Sequence, residues 1–313
     1  MRVVKTKIGN HRGFHSLSLQ YLGFTPYLAK DERLVLDLFG NENAYQDDIN
    51  NKNTWNNWFI QEDWEESEVV REVGGVNHGS FIGGWVSEDS RLKLHKLSTE
   101  HLKVQKSILD KVDTFINQNF RGHRVLGIHI RGNEIFTDNT RPKLPFSYFK
   151  HKIDLYLNTG EFDKIFVATD QIHTLLKLKE LYKEDLLHYS SLEFDLMGSH
   201  AHIFNKITPN EGYIRGEEVL IDSILLSSTD FLLRTCSNIT AYSIIYNPLL
   251  KYCEIDYPFY SHGNYAYTPS PSCENPCKLE SNFDFFIQQV RDFESKLSFI
   301  PYKDRAEFVK QYL

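Results

Sequence analysis

Between residues 125 and 255, short apolar runs alternate with amphipathic stretches, and this rhythm constrains the fold more than any other feature of the chain. Residues 125–130 read VLGIHI, 165–168 read IFVA, and 231–233 read FLL. Short runs of this kind predict strands covered on both faces. The segments between them carry helical spacing. Residues 145–158 place Phe149, Ile153 and Leu157 four apart and end before Gly160. Residues 172–182 form a Leu-rich helix, and 217–227 carry Val219, Leu220, Ile224 and Leu226. A helix over 237–246 is stopped by Pro248. Strand–helix alternation implies a parallel sheet with helices on both faces. Ligands in such sheets bind outside the C-terminal ends of the strands.

The N-terminal third gives a weaker version of the same pattern. Residues 9–16, GNHRGFHS, precede a helix and then a strand at 34–37, LVLD. A helix is expected over 99–119, with Leu102, Ile108, Val112, Phe115 and Ile116 on one face. The reading is two α/β lobes joined near 85–120, with donor and acceptor meeting in a cleft between them. The expected division is an N-terminal lobe at 1–118 on the acceptor side, a second lobe at 119–280 that binds the donor, and C-terminal helices at 281–313 that include a helix over 285–297. Residues 40–61 read as a long Asn-rich surface loop ending in Trp55, Trp58 and Phe59. Those rings and the segment 257–278 are expected to touch an acceptor, with ordinary aromatic packing as the alternative.

Charge and cysteine content narrow the partners. The net charge is −7, and no basic stripe is visible, so nucleic acid and anionic membranes are not expected as partners. Lys and Arg near 91–106 read as the solvated side of a helix. No apolar run approaches the ~18–20 residues of a membrane span. The N-terminus lacks the apolar stretch of a signal peptide. The expectation is a cytoplasmic protein, or a trimmed piece of an anchored one. The four cysteines are Cys236, Cys253, Cys273 and Cys277. Cys273 and Cys277, with Cys253 and His262, could hold zinc, but reduced thiols are the preferred reading and no metal is expected.

Three stretches carry candidate chemistry. His129, Arg131 and Glu134 begin at the C-terminal end of a buried strand. A guanidinium there suits a diphosphate, His129 suits a base or phosphate, and Glu134 is a candidate general base. The bland alternative pairs Arg131 with Glu134 and leaves His129 as a satisfied core group. Asp170 ends a second strand and either lines a nucleotide pocket or caps the helix after it. In the third stretch, 216–240, Asp222 falls on the apolar run of a helix and needs a partner. The N1–H and N2 amine of guanine would supply one. Thr235 to Asn238 then open a helix whose start suits an anion, with simple capping by Ser237 and Asn238 as the alternative. Neither the GxGxxG nor the P-loop pattern is present.

Together these segments resemble the fucosyltransferase superfamily, which includes core α1,6-fucosyltransferases, nodulation fucosyltransferases and protein O-fucosyltransferases. The resemblance rests on VLGIHIRGNE, the ATD of 168–170 and GEEVLIDSILLSSTDFLLRTCSN, with weaker likeness at GFHS and NTWNNWF. It implies a GT-B-like fold of two Rossmann-like lobes, a GDP-fucose donor, a glycan acceptor, inversion at the anomeric carbon, and no metal or other cofactor. Residue by residue, it implies Arg131 on the β-phosphate and His129 beside the nucleotide. It also implies Asp222 on guanine, Ser237 and Asn238 on the diphosphate, and Asp170 lining the pocket. Gly13, Phe14 and His15 are candidate N-terminal loop contacts. The chain departs from the pattern at Gly132, where core α1,6 enzymes carry a second Arg, and at Asn139, where they carry an acid. Glu134 and Asp138 therefore remain alternative catalytic bases. A transferase for another nucleotide sugar and a non-catalytic glycan- or nucleotide-binding relative are the alternative functions.

Overall fold

The computed structural model describes residues 2–7, 13–38, 45, 53–74, 86, 88–131, 146–189, 212–235 and 237–255. The chain forms two compact units. The first comprises 1–115, 202–227 and 237–249, and the second 116–201, 228–236 and 250–313.

In the first unit, β1 (Arg2–Lys7), β2 (Glu32–Leu36) and β3 (Val69–Gly74) form a parallel sheet in the order β2-β1-β3. The helix α1 (Phe14–Phe24) connects β1 to β2. Where one helix was expected over 99–119, there are two, α2 (Glu88–His101) and α3 (Lys106–Asn119). The break has a tertiary cause. Val104 bridges antiparallel to Phe59, the Ile60 N–H donates to Lys103 O (2.7 Å), and the Gln105 N–H donates to Trp58 O (2.9 Å). The two hydrogen bonds of this bridge thus outweigh the local preference to continue the helix.

The second unit begins with β4 (Val125–Ile130), α4 (Phe146–Leu157), β5 (Lys164–Thr169), α5 (Ile172–Tyr182) and β6 (Leu186–Leu187). The chain then supplies α6 (Gly212–Ser227) to the first unit, β7 (Phe231–Arg234) to the second, α7 (Asn238–Tyr246) to the first and β8 (Lys251–Glu254) to the second. The second sheet is parallel in the order β6-β5-β4-β7-β8. Two parallel sheets with helices match the α/β class expected. Strands β1, β3, β6 and β8 carry no apolar run like that of β4: β6 has two residues, and the others mix charged with apolar residues.

Alternation along each strand fixes the faces of the second sheet. Leu126, Ile128, Ile130, Ile165, Val167, Leu233, Cys253 and Ile255 share one core with α4 and α5. The opposite parity carries Gly127, His129, Arg234, Tyr252 and Glu254. Gly127 is required there, since a Cβ would lie 2.6 Å from Thr229 Oγ1.

The first unit is closed by aromatic packing. Asn53 caps the turn Thr54–Asn57, its Oδ1 accepting from the Trp55 N–H at 3.2 Å. Trp55, Trp58 and Phe59 are 1%, 0% and 1% exposed, which corrects the expectation that they sit on a surface loop and meet an acceptor. Trp58 meets Phe14 edge-on at 5.0 Å. Arg91 is also buried, contrary to the solvated reading of its segment, whereas Lys93 and Lys96 are exposed. Arg91 donates to Ile244 O (2.9 Å) and Asn247 O (3.0 Å), satisfying carbonyls at the end of α7. The closing helix expected over 285–297 and the segment 257–278 lie outside the described residues, as do 39–44 and 46–52.

Gly216 in α6 offers a test of this packing. A Cβ there would lie 2.4 Å from Trp58 Cζ2 and 3.1 Å from Phe14 Cε2. In an open helix Gly→Ala gains about 1 kcal/mol, whereas overpacking a tight core typically costs about 1–3 kcal/mol. The buried indole has little room to yield, so Gly216→Ala should lower the urea midpoint. A raised midpoint would show that the ring gives way.

Candidate functional site

In the order β6-β5-β4-β7-β8 the succession of strands across the sheet reverses at β4. The chain steps from β4 outward through β5 and β6, then returns to the other edge of β4 as β7. Ligands of open parallel sheets bind at such a crossing, outside the carboxyl ends of the strands. His129 and Thr235 sit at this place. β4 pairs with β5 along its whole length, setting His129 opposite Ala168 and Ile130 opposite Thr169. On the other edge it pairs with β7 up to Ile128↔Leu233. One step further, His129 Nδ1 and Thr235 Oγ1 are hydrogen-bonded at 3.1 Å. His129 is 3% exposed and Thr235 6%. The reading of His129 as a satisfied buried group therefore holds at Nδ1. Arg131 follows directly after β4 and is partly exposed.

Asp170 ends β5 and is partly buried. The residue that precedes α5 is Gln171, which makes no side-chain cap. Instead its N–H donates to Thr169 Oγ1 (3.2 Å) and its Oε1 accepts from Thr174 Oγ1 (2.8 Å).

The other candidates fall in the first unit. Asp222 lies on α6, partly buried, one turn beyond the buried Glu218. Burial first, and the nearby Glu218 second, hold the Asp222 carboxyl well above its ordinary value. Ser237 is the N-cap of α7, its Oγ accepting from the Ile239 N–H at 3.2 Å, so the capping reading holds for it. Asn238 is the first residue of that helix and is partly buried.

Gly13 is the N-cap of α1 and lends no side chain. Phe14 and His15 are 2% and 1% exposed. His15 stacks on Tyr242 at 4.4 Å, and burial pushes its imidazole down to about 3, leaving it neutral. Glu134, Asp138 and Cys236 lie outside the described residues, with Gly132, Asn139, Cys273, Cys277 and His262. Cys253 is buried in the second core. Among the described residues no group of three His, Cys, Asp or Glu could hold a metal ion. Among them, too, no helix is long and apolar enough to cross a membrane.

Sequence reasoning missed a buried ion pair beside Thr235. Arg234 and Glu254 are register partners on β7 and β8, with Nε and Oε1 3.6 Å apart and side chains 0% and 2% exposed. The guanidinium also lies over the Tyr252 ring, 5.4 Å from its centroid. The available signal was an Arg on the buried run FLLR, which demands an anion.

No protein-family model matches this sequence, and no curated protein sequence matches it. Solved structures do. Fucosyltransferase NodZ from Bradyrhizobium is 16% identical, with 83% of this chain and 97% of that chain covered and a TM-score of 0.51. NodZ alpha-1,6-fucosyltransferase soaked with GDP-fucose is 15% identical, with the same shares covered and a TM-score of 0.51. At this identity the likeness is one of fold, and that fold is fucosyltransferase-like.

The state of Asp222 makes a prediction. A carboxyl raised in the fold contributes fully below the ordinary value of 3.8, and that contribution is lost as pH rises through the raised value. From about pH 4 to about pH 9, the unliganded protein should therefore lose more stability than Asp222→Asn, which cannot ionise. Urea midpoints across the range measure this. Parallel curves would refute it.

Proposed function

We propose that this chain is an inverting, metal-independent glycosyltransferase that moves L-fucose from GDP-fucose to a glycan hydroxyl. One observation carries the reading. In a chain with the fold of NodZ, the buried His129–Thr235 pair and the adjacent Arg131 stand at the ligand-binding end of a five-stranded parallel sheet. A structure of that relative is described as soaked with GDP-fucose.

The chemistry follows from where charge grows. A base takes the proton of the acceptor hydroxyl while the nucleoside diphosphate leaves from the opposite face of the sugar. The transition state resembles an oxocarbenium ion, and negative charge builds on the departing phosphate oxygens. A fixed cation there stabilises the transition state more than the ground state. Arg131 takes this role, which Mg²⁺ fills in metal-dependent transferases. His129 stands beside the nucleotide, Asp170 lines its pocket, and Thr235, Ser237 and Asn238 contact the donor. Glu134 and Asp138 are the two candidate bases.

Asp222 reads guanine in this scheme. The base offers two N–H donors that favour a carboxylate over a carboxylic acid. Because the unliganded carboxyl is held protonated above its ordinary range, guanine binding expels a proton. GDP affinity then rises with pH until the free Asp222 ionises by itself.

Calorimetric titration with GDP, UDP and dTDP tests the donor, and transfer to a glycan panel tests turnover. GDP alone should bind, more tightly with rising pH, and Asp222→Asn should abolish the preference. Arg131→Ala should lower kcat by about 10²–10³. Selective UDP or dTDP binding would point to another nucleotide sugar, and GDP binding without turnover to a non-catalytic relative. An Arg131→Ala protein with unchanged kcat would remove the leaving-group role.

A further inference from the structure

We infer that Thr235 is a positioning residue that sets the tautomer of His129, its hydroxyl donating to Nδ1 so that the ring proton sits on Nε2. The inference rests on the donor-site reading above for the direction of this bond. The bond itself is geometric, with Nδ1 and Oγ1 at 3.1 Å and both residues buried.

A neutral imidazole has one donor and one acceptor nitrogen, and the partner of one decides the state of the other. Were Nδ1 to carry the proton, Nε2 would meet a ligand with a lone pair. A diphosphate offers only acceptor oxygens, so two lone pairs would face each other. With the hydroxyl donating to Nδ1, Nε2–H becomes a donor matched to phosphate oxygen or to a base carbonyl. Serine would serve the same purpose, whereas valine has the shape of threonine without the donor.

The placement of Thr235 comes from its neighbours. The Asp230 N–H donates to Val125 O (3.0 Å) and Asp230 Oδ2 accepts from the Val125 N–H (2.8 Å), which fixes β7 against β4 at their starts. At the other end, Arg234 O accepts from the Ile255 N–H (2.9 Å) and the Arg234 side chain pairs with Glu254. A buried ion pair adds little net stability, because desolvation offsets its attraction, yet it ties down the geometry of what it joins. Here it joins the residue before Thr235 to the edge strand.

The test uses the full chain with ¹⁵N-labelled histidine. Ring nitrogens are correlated with the carbon-bound ring protons, and His129 is assigned by its loss in His129→Gln. The wild type should show a single Nε2–H tautomer, Thr235→Ser the same, and Thr235→Val a mixture. Should the valine variant fail to fold, Thr235→Ala carries the same expectation. A wild-type Nδ1–H tautomer, or an unchanged signature without the hydroxyl, would overturn the inference. GDP titration of the wild type is run beside it. If the tautomer pattern appears and GDP does not bind, the donor reading fails and the assignment of Thr235 stands. If GDP binds and the pattern is absent, the reverse holds.

Discussion

Everything at the candidate site depends on β4 being paired along both edges. All six of its residues are buried, so each backbone N–H and C=O needs a partner in a neighbouring strand. β5 supplies one edge over the full length and β7 the other over the middle. A strand held this way cannot slide without moving every side chain to the wrong face. Its last two residues, His129 and Ile130, keep the β5 edge, and Arg131 follows directly after them. The side-chain hydrogen bond between His129 and Thr235 links the ends of β4 and β7, where the strand order reverses.

The first unit is organised by different means. Its sheet has three strands, and much of its closure comes from rings. Phe14, Trp58 and Phe59 interlock around α1, and the small size of Gly216 lets α6 approach them. Arg91 reaches from α2 to the carbonyls that end α7. α6 carries both this packing and Asp222, so a carboxyl held above its ordinary range is mounted on one of the more constrained helices of the unit. Such support suits the guanine contact proposed for Asp222.

Local patterns in the sequence were read well wherever local forces decide the outcome. The buried strand 125–130 and the helix 172–182 end where expected, because apolar run length and helical spacing act over a few residues. The failures share one cause, a partner distant in sequence. Nothing near 102–105 announces that Val104 will bridge to Phe59. Arg91 looks solvated until residues 244–247 fold against it. Trp55 and Trp58 sit in an Asn-rich stretch that reads as loop, yet both are core. At the site, His129, Arg131 and Thr235 were legible as strand-end residues. The bond joining two of them was not, since it spans more than a hundred positions of chain. Asp170 follows β5, and the position directly before α5 belongs to Gln171.

The path of the chain also orders its manufacture. α7 packs on α1, α2 and α6 within the unit that holds the N-terminus. During synthesis the ribosome must deliver the three central strands of the second sheet, β4, β5 and β7, before it releases the helix that finishes the first unit. The half begun first is thus completed almost last. Until then the aromatic side chains around α1 and the guanidinium of Arg91 wait without their eventual neighbours, as surface that a chaperone would find and hold.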